Sequence, residues 1–281
     1  MEGVAGICNF EQWTSPGARY NELGCELLTR EVNAAVDGLF AGGATYIMVA
    51  DSHGPGAIDI RVLDPRVEMM RWDWRQPWPQ RLQEGFDYLV FVGQHAKSRT
   101  VLSNMAHTGN CGVLERSING VAIGEFGQHV ACASELAIRT ILATGEQALA
   151  EEAQDLVPGI ETVAVKRGLQ TERGDSLTAE EYREHNPGAV HVHPKVARQR
   201  IREGAERAMG RAAGEDFGIW PLTPPYRMVT VYRESEDNPQ RTYTVREHPT
   251  SVIEAMNQPA ERSPIESDEQ LNDLLVEPLT G

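Results

Sequence analysis

Ala44-Thr45-Tyr46-Ile47-Met48-Val49-Ala50 is a continuous run rich in β-formers, and it stops at Asp51-Ser52-His53. A strand apolar on both faces belongs inside a parallel sheet covered by helices. The stretch before it, Arg19 to Phe40, sets Leu28, Val32, Ala35, Val36, Leu39 and Phe40 at the spacing of one buried helix face. Gly42-Gly43 ends that helix, as glycine commonly does. A second apolar run, Tyr88 to Val92, stops at Gly93-Gln94-His95. Gly3 to Cys8 is short and apolar enough for a further strand. The first half therefore reads as β-α-β-α-β, an α/β fold with an open, mostly parallel sheet and flanking helices. Ligands of such sheets bind beyond the carboxyl ends of the strands. Both apolar runs deliver a histidine to that edge.

Further along, Asn119-Gly120 between Val113–Ile118 and Val121–Ile123 predicts a two-residue hairpin. A helix is expected from Gly124-Glu125 through Leu136, then a strand over Ile138–Ala143. A helix from about Glu146 to Leu156 and a strand over Glu161–Val165 follow. The second half predicts a charged surface helix over Lys195–Ala212, a rigid connector at Pro221–Pro225 and a strand over Tyr226–Tyr232. The expected division is an α/β core with the site at 1–166, a smaller C-terminal α+β portion at 167–247 and an acidic, partly mobile tail at 248–281.

The chain has 281 residues and is 41% hydrophobic, enough for a full core. Its net charge of −15 argues against nucleic acid or an anionic membrane as partner, because phosphates would be repelled. No apolar run approaches the ~20 residues that span a bilayer. Met1-Glu2-Gly3-Val4 lacks the basic and apolar pattern of a secretion signal. Cys8, Cys25, Cys111 and Cys132 show no CxxC spacing and read as reduced thiols, so a cytoplasmic location is expected.

Glu2, His53, His95 and Glu125 are oxygen and nitrogen donors of the kind zinc accepts, each beside a predicted strand end or turn. His107 lies in a loop near the same edge and could act as acid, base or nucleophile. No HExxH motif is present, and scattered histidines are more often surface or satisfied groups than ligands. Other residues have bland readings. His129, four after Glu125, is expected to be a core group or a neighbour of the ligands. His191 and His193 read as an ordinary loop, and Asp51 as a group that orients His53 or caps a turn. Glu151-Glu152 and Arg198–Arg207 read as solvated helix faces. Trp72, Trp74 and Trp78 are expected to pack a loop against the body.

The order of short motifs resembles the D-aminopeptidases of the DppA type. Met1-Glu2-Gly3-Val4-Ala5-Gly6 is similar to the family's D-M-E-G-x-x-G opening, and Asp51-Ser52-His53 to its D-S-H segment. Gly93-Gln94-His95-Ala96 resembles G-Y-H-A, and Met105-Ala106-His107-Thr108 resembles M-S-H-T. Asn119-Gly120 with Ile123-Gly124-Glu125 resembles N-x-x-x-x-G-E; Ala164-Val165-Lys166 and Pro221-Leu222-Thr223-Pro224-Pro225 match later segments. The resemblance covers about residues 1 to 235, and the chain after about Arg246 departs from it.

The resemblance implies a metal-dependent hydrolase with two zinc ions. Glu2 and His95 would serve one, His53 and Glu125 the other. His107 matches the family's catalytic histidine, described as a nucleophile. The family's opening aspartate, which bridges both ions, would fall before Met1, so a second ion should be held more weakly, with Asp51 the nearest conceivable substitute. The implied substrate is a small peptide or amino-acid amide bearing an N-terminal D-residue such as D-alanine. The implied assembly is a homo-oligomer, a decamer of two stacked pentameric rings. The rivals are an amidase or lactam hydrolase using the same site, and a non-catalytic metal-binding ring protein.

Overall fold

The computed structural model describes residues 1–279 apart from Trp72 and Trp74. In chain order, α1 (Asn21–Ala41) leads to β1 (Met48–Asp51), β2 (Glu68–Arg71) and β3 (Tyr88–Gln94). A hairpin of β4 (Val113–Ile118) and β5 (Val121–Ala122) precedes α2 (Glu125–Glu135), β6 (Arg139–Glu146), α3 (Gln147–Leu156) and β7 (Glu161–Gly168). Then come α4 (Ala179–Arg183), β8 (Ala189–His191), α5 (Pro194–Ala212), β9 (Tyr226–Tyr232) and β10 (Thr242–His248). The chain closes with α6 (Val252–Asn257), β11 (Ser263–Pro264) and α7 (Asp268–Leu274).

The main sheet has the order β3-β6-β7-β8; its first three strands are parallel and β8 runs antiparallel to β7. Its two faces are covered, as the apolar runs require. On one side, Ala35 and Leu39 of α1 and Ile201, Ala205 and Ala208 of α5 pack with Ile141 and Val163 of the sheet. On the other, Phe126 and Val130 of α2 and Leu149 and Ala153 of α3 pack with Ala143. Arginines of α5 face outward, with Arg202 paired to Glu206 one turn on. An antiparallel sheet, β11-β10-β9-β4-β5, stands beside this layer. Its β4–β5 turn has Asn119 at φ +50 and Gly120 at φ +77, the left-handed pair that Asn-Gly tolerates best. The mixed α/β class read from the sequence is the observed one.

Three features differ from the sequence reading. Gly3 to Cys8 forms turns, not a strand. Its backbone groups are satisfied by side chains in place of a ladder: Ala5 N–H donates to Glu31 Oε1 and Gly6 N–H to His191 Nδ1, both at 3.0 Å. The carbonyls of Glu2 and Ile7 accept from Lys166 Nζ. Gly3 N–H also donates to Gly93 O at 3.0 Å, and a Cβ on Gly3 would stand 1.9 Å from Gln94 O. Only glycine allows the opening segment to lie that close to the end of β3.

Second, β1 and β3 do not share a sheet. β1 pairs in parallel with β2, Met48 opposite Glu68, while β3 pairs with β6. The gap between β1 and β3 belongs to the cavity described below. Third, the segment expected as an acidic, partly mobile tail supplies α6 and α7. Val252, Ile253, Ala255 and Met256 enter the core around Phe126, and Leu271 and Leu275 pack on Leu114, Val229 and Val231. The core around Phe126 thus draws on residues from both sides of the divisions expected at 166 and 247. Of the tryptophan cluster, Trp72 and Trp74 lie outside the described residues, and Trp78 packs on that core.

Candidate metal centre

The carboxyl end of β3, the loop after it and the start of α2 bring three side chains together. His95 follows the last residue of β3, His107 sits in the loop, and Glu125 is the first residue of α2. His95 Nε2 is 3.8 Å from Glu125 Oε1, and His107 Nε2 is 3.7 Å from the same oxygen. The two imidazoles stack with centroids 3.9 Å apart and planes 17° from parallel. Each ring's other nitrogen meets a carbonyl at 2.9 Å: His95 Nδ1 at Ala96 O, His107 Nδ1 at Met105 O. A carbonyl can only accept, so both Nδ1 atoms carry a proton, and in the neutral ring each Nε2 turns its lone pair inward.

Two lone pairs and a carboxylate oxygen now face one another at distances too long for hydrogen bonds. A cation resolves that arrangement, and backbone bonds on Nδ1 are the usual way a ligating histidine is oriented. The donor atoms of His95, His107 and Glu125 lie within 4.8 Å of one another. Glu125 Oε1 accepts from Gly109 N–H at 2.6 Å, while its buried Oε2 has no hydrogen-bond partner among the described residues. Burial, then the neighbouring His107, pushes His95 down to about 4, so it is a neutral ligand-ready base at pH 7. Burial opposes ionisation of Glu125, but His95 and His107 outweigh it and hold this carboxyl below its usual range.

A second pair stands at the same cavity. His53 Nε2 is 3.0 Å from Glu2 Oε1, and His53 Nδ1 is buried with no hydrogen-bond partner among the described residues. All five residues line one cavity of about 1210 Å³. The nearest-neighbour grouping therefore differs from the one that the resemblance implied. Glu2 stands beside His53, and His95 and His107 flank Glu125. Imidazole and carboxylate donors suit zinc, and the partnerless Glu125 Oε2 and His53 Nδ1 leave acceptors for it.

The bland readings fare unevenly. Asp51 accepts from Ala57 N–H at 3.1 Å and Ile58 N–H at 3.3 Å, so it caps the turn after His53. His129 Nδ1 bonds Glu125 O at 2.9 Å, and its ring lies 4.6 Å from that of Trp78. His191, the last residue of β8 and not a loop residue, accepts from Gly6 N–H, and His193 caps α5 by accepting from Lys195 N–H at 3.2 Å; among the described residues neither joins a cluster of possible ligands. Glu152 overturns its reading as a solvated face. It is 5% exposed and accepts from Lys97 and Gly124 N–H groups. Glu146 and Lys166 are buried beside the site as well. The sequence signalled Lys166 only through its motif, and Glu146 not at all.

Comparison with known proteins places this geometry in context. The family model described as D-aminopeptidase matches residues 1–245. A D-aminopeptidase of Bacillus subtilis (strain 168) is 29% identical over 174 residues, 60% of this chain. The match spans 62% of that relative's length, less than two thirds. A solved structure, the Zn-dependent D-aminopeptidase DppA from Bacillus subtilis, described as a self-compartmentalizing protease, superposes with a TM-score of 0.72. It covers 91% of both chains at 22% identity, a likeness of fold.

Proposed function

Because the chain belongs to the D-aminopeptidase family, we propose that it is a metal-dependent hydrolase releasing an N-terminal D-amino acid from small peptides or amino-acid amides. The observation that carries this reading is the convergence of both imidazoles, His95 and His107, on the Glu125 carboxylate, in one cavity with Glu2 and His53. Glu2, His53, His95 and Glu125 hold zinc, two ions when both positions fill, and His107 does the proton or nucleophile chemistry. Zinc, when bound, supplies a Lewis acid that polarises the scissile carbonyl and stabilises the developing oxyanion. The chain's own residues do the rest. Met105 O fixes the His107 tautomer, so Nε2 is free to accept a proton from an attacking water or to attack the carbonyl carbon itself. Glu2 and Glu125 provide the negative charge that holds cations, and the neutral state of His95 keeps its lone pair available.

Turnover of D-alanine amide and L-alanine amide, before and after chelation, tests this reading. The D-amide should be cleaved faster, chelation should abolish cleavage, and zinc should restore it. Equal turnover after exhaustive chelation, or preference for the L-amide, would sink it.

The chain is also proposed to assemble as a homo-oligomeric ring, on the strength of its family and of the self-compartmentalizing description of the DppA structure. Light scattering should return a mass several times 31.1 kDa; a monomer at micromolar concentration would remove this part of the reading.

A further inference from the structure

His95 and His107 lie in the one connection between β3 and β4, and Glu125 opens α2 after the β4–β5 hairpin. Residues between β3 and β4 hold Arg99, Leu102 and Met105 at φ +67, +53 and +60. Left-handed backbone at such residues persists only where the surroundings fix it. The N–H groups of Arg99, Leu102 and Met105 donate to Tyr182 Oη, Gln170 O and Asn186 O, and two buried carboxylates hold the residues between and around them. Glu146, the last residue of β6, is 0% exposed. Its Oε1 accepts from Ala96 N–H at 2.8 Å, and its Oε2 from Asn104 N–H at 2.5 Å. Glu152, on α3, accepts with Oε2 from Lys97 N–H at 2.9 Å and with Oε1 from Gly124 N–H at 3.2 Å.

The pattern of partners is specific. Ala96 and Lys97 directly follow His95, Asn104 stands just ahead of His107, and Gly124 directly precedes Glu125. Glu146 thus ties the His95 segment to the His107 segment. Glu152 ties the His95 segment to the start of the Glu125 helix. Lys166 adds a third tie, from Asn104 Oδ1 at 2.7 Å to the Glu2 carbonyl. We infer that Glu146 and Glu152 are positioning residues, which clamp the segments of the ligands His95 and Glu125 and of the catalytic His107 in the register that the site requires. The inference rests on the metal-centre reading above.

A carboxylate is needed for this task because each group must accept at both ends. A glutamine of the same shape accepts at one end and turns an NH2 group toward the other backbone N–H. Placing two acidic groups beside a site that already gathers Glu2 and Glu125 is costly, and charge-assisted bonds to four backbone N–H groups recover part of that cost.

The test uses the full chain with zinc alone as the probe. Zinc affinity by chelator competition and melting of the metal-free protein are measured for wild type, Glu146→Gln and Glu152→Gln. Glu151→Gln is the control, since Glu151 is exposed and, among the described residues, accepts only from its helix neighbour Gln147. Both clamp variants should bind zinc about 10–100-fold more weakly, the usual cost of disturbing groups behind a ligand, and the control should match wild type. Should a glutamine variant not fold, Glu152→Asp, which withdraws the carboxylate by one methylene, is read in its place with the same expectation. A lowered melting temperature with unchanged zinc affinity would show that the pair serves the fold alone, and overturns the inference. A wild-type chain that binds no zinc overturns the metal-centre reading and this inference together.

Discussion

Replacing His95 with alanine is expected to remove bound metal and amide hydrolysis together. His95 is 5% exposed, its Nδ1–H is committed to Ala96 O, and its Nε2 lone pair faces Glu125. It has no hydrogen-bond duty on the inner side, so its loss subtracts one donor from a small set. Removing a ligand weakens a metal site directly, and the fall in zinc affinity should exceed the ~10–100-fold typical of changes one layer further out. Elemental analysis after dialysis, read beside D-alanine amide turnover, checks this. A His95→Ala protein that keeps full zinc and activity would place the centre elsewhere.

His107→Ala is expected to separate catalyst from ligand. The substitution should cost ~10²–10⁴ in turnover, the range for an acid–base group, and more if His107 is a covalent nucleophile. Zinc content should stay near that of wild type. The geometry makes this a sharp test, because His107 Nε2 is as close to Glu125 Oε1 as His95 Nε2 is, at 3.7 against 3.8 Å. Loss of zinc alongside activity would make His107 a ligand, filling a position that Glu2 or His53 was proposed to fill. Near-full turnover would remove it from the chemistry altogether.

Much of the fold was legible because it follows local pattern. The helix at 21–41, the Asn-Gly hairpin and the β6-α3-β7 unit each announce themselves through periodicity or turn chemistry, and the structure has them within a few residues. The opening segment was misread because Gly3 to Cys8 is apolar enough for a strand, while its actual partners, Glu31, Lys166 and His191, are distant in sequence. At the end of the chain, an acidic composition hides a few apolar anchors. Val252, Ile253 and Met256 are spaced for one helix face within an acidic stretch.

The site was legible where a strand end or motif marked it. His53, His95, His107 and Glu125 are singled out that way as candidates, and all line the cavity. Glu146 and Glu152 were not, because a buried carboxylate that serves backbone N–H groups from other segments looks in sequence like any helix-surface acid. Their partners, Ala96, Lys97, Asn104 and Gly124, are backbone groups and leave no residue-type signature.

The most direct test of the central claim is anomalous diffraction at the zinc edge from crystals of the zinc-loaded protein. The account predicts a peak at ~2.0–2.2 Å from His95 Nε2 and from a Glu125 carboxylate oxygen. Zinc-loaded crystals with no peak in the cavity shared by Glu2, His53, His95, His107 and Glu125, or with zinc bound only elsewhere on the chain, would contradict it.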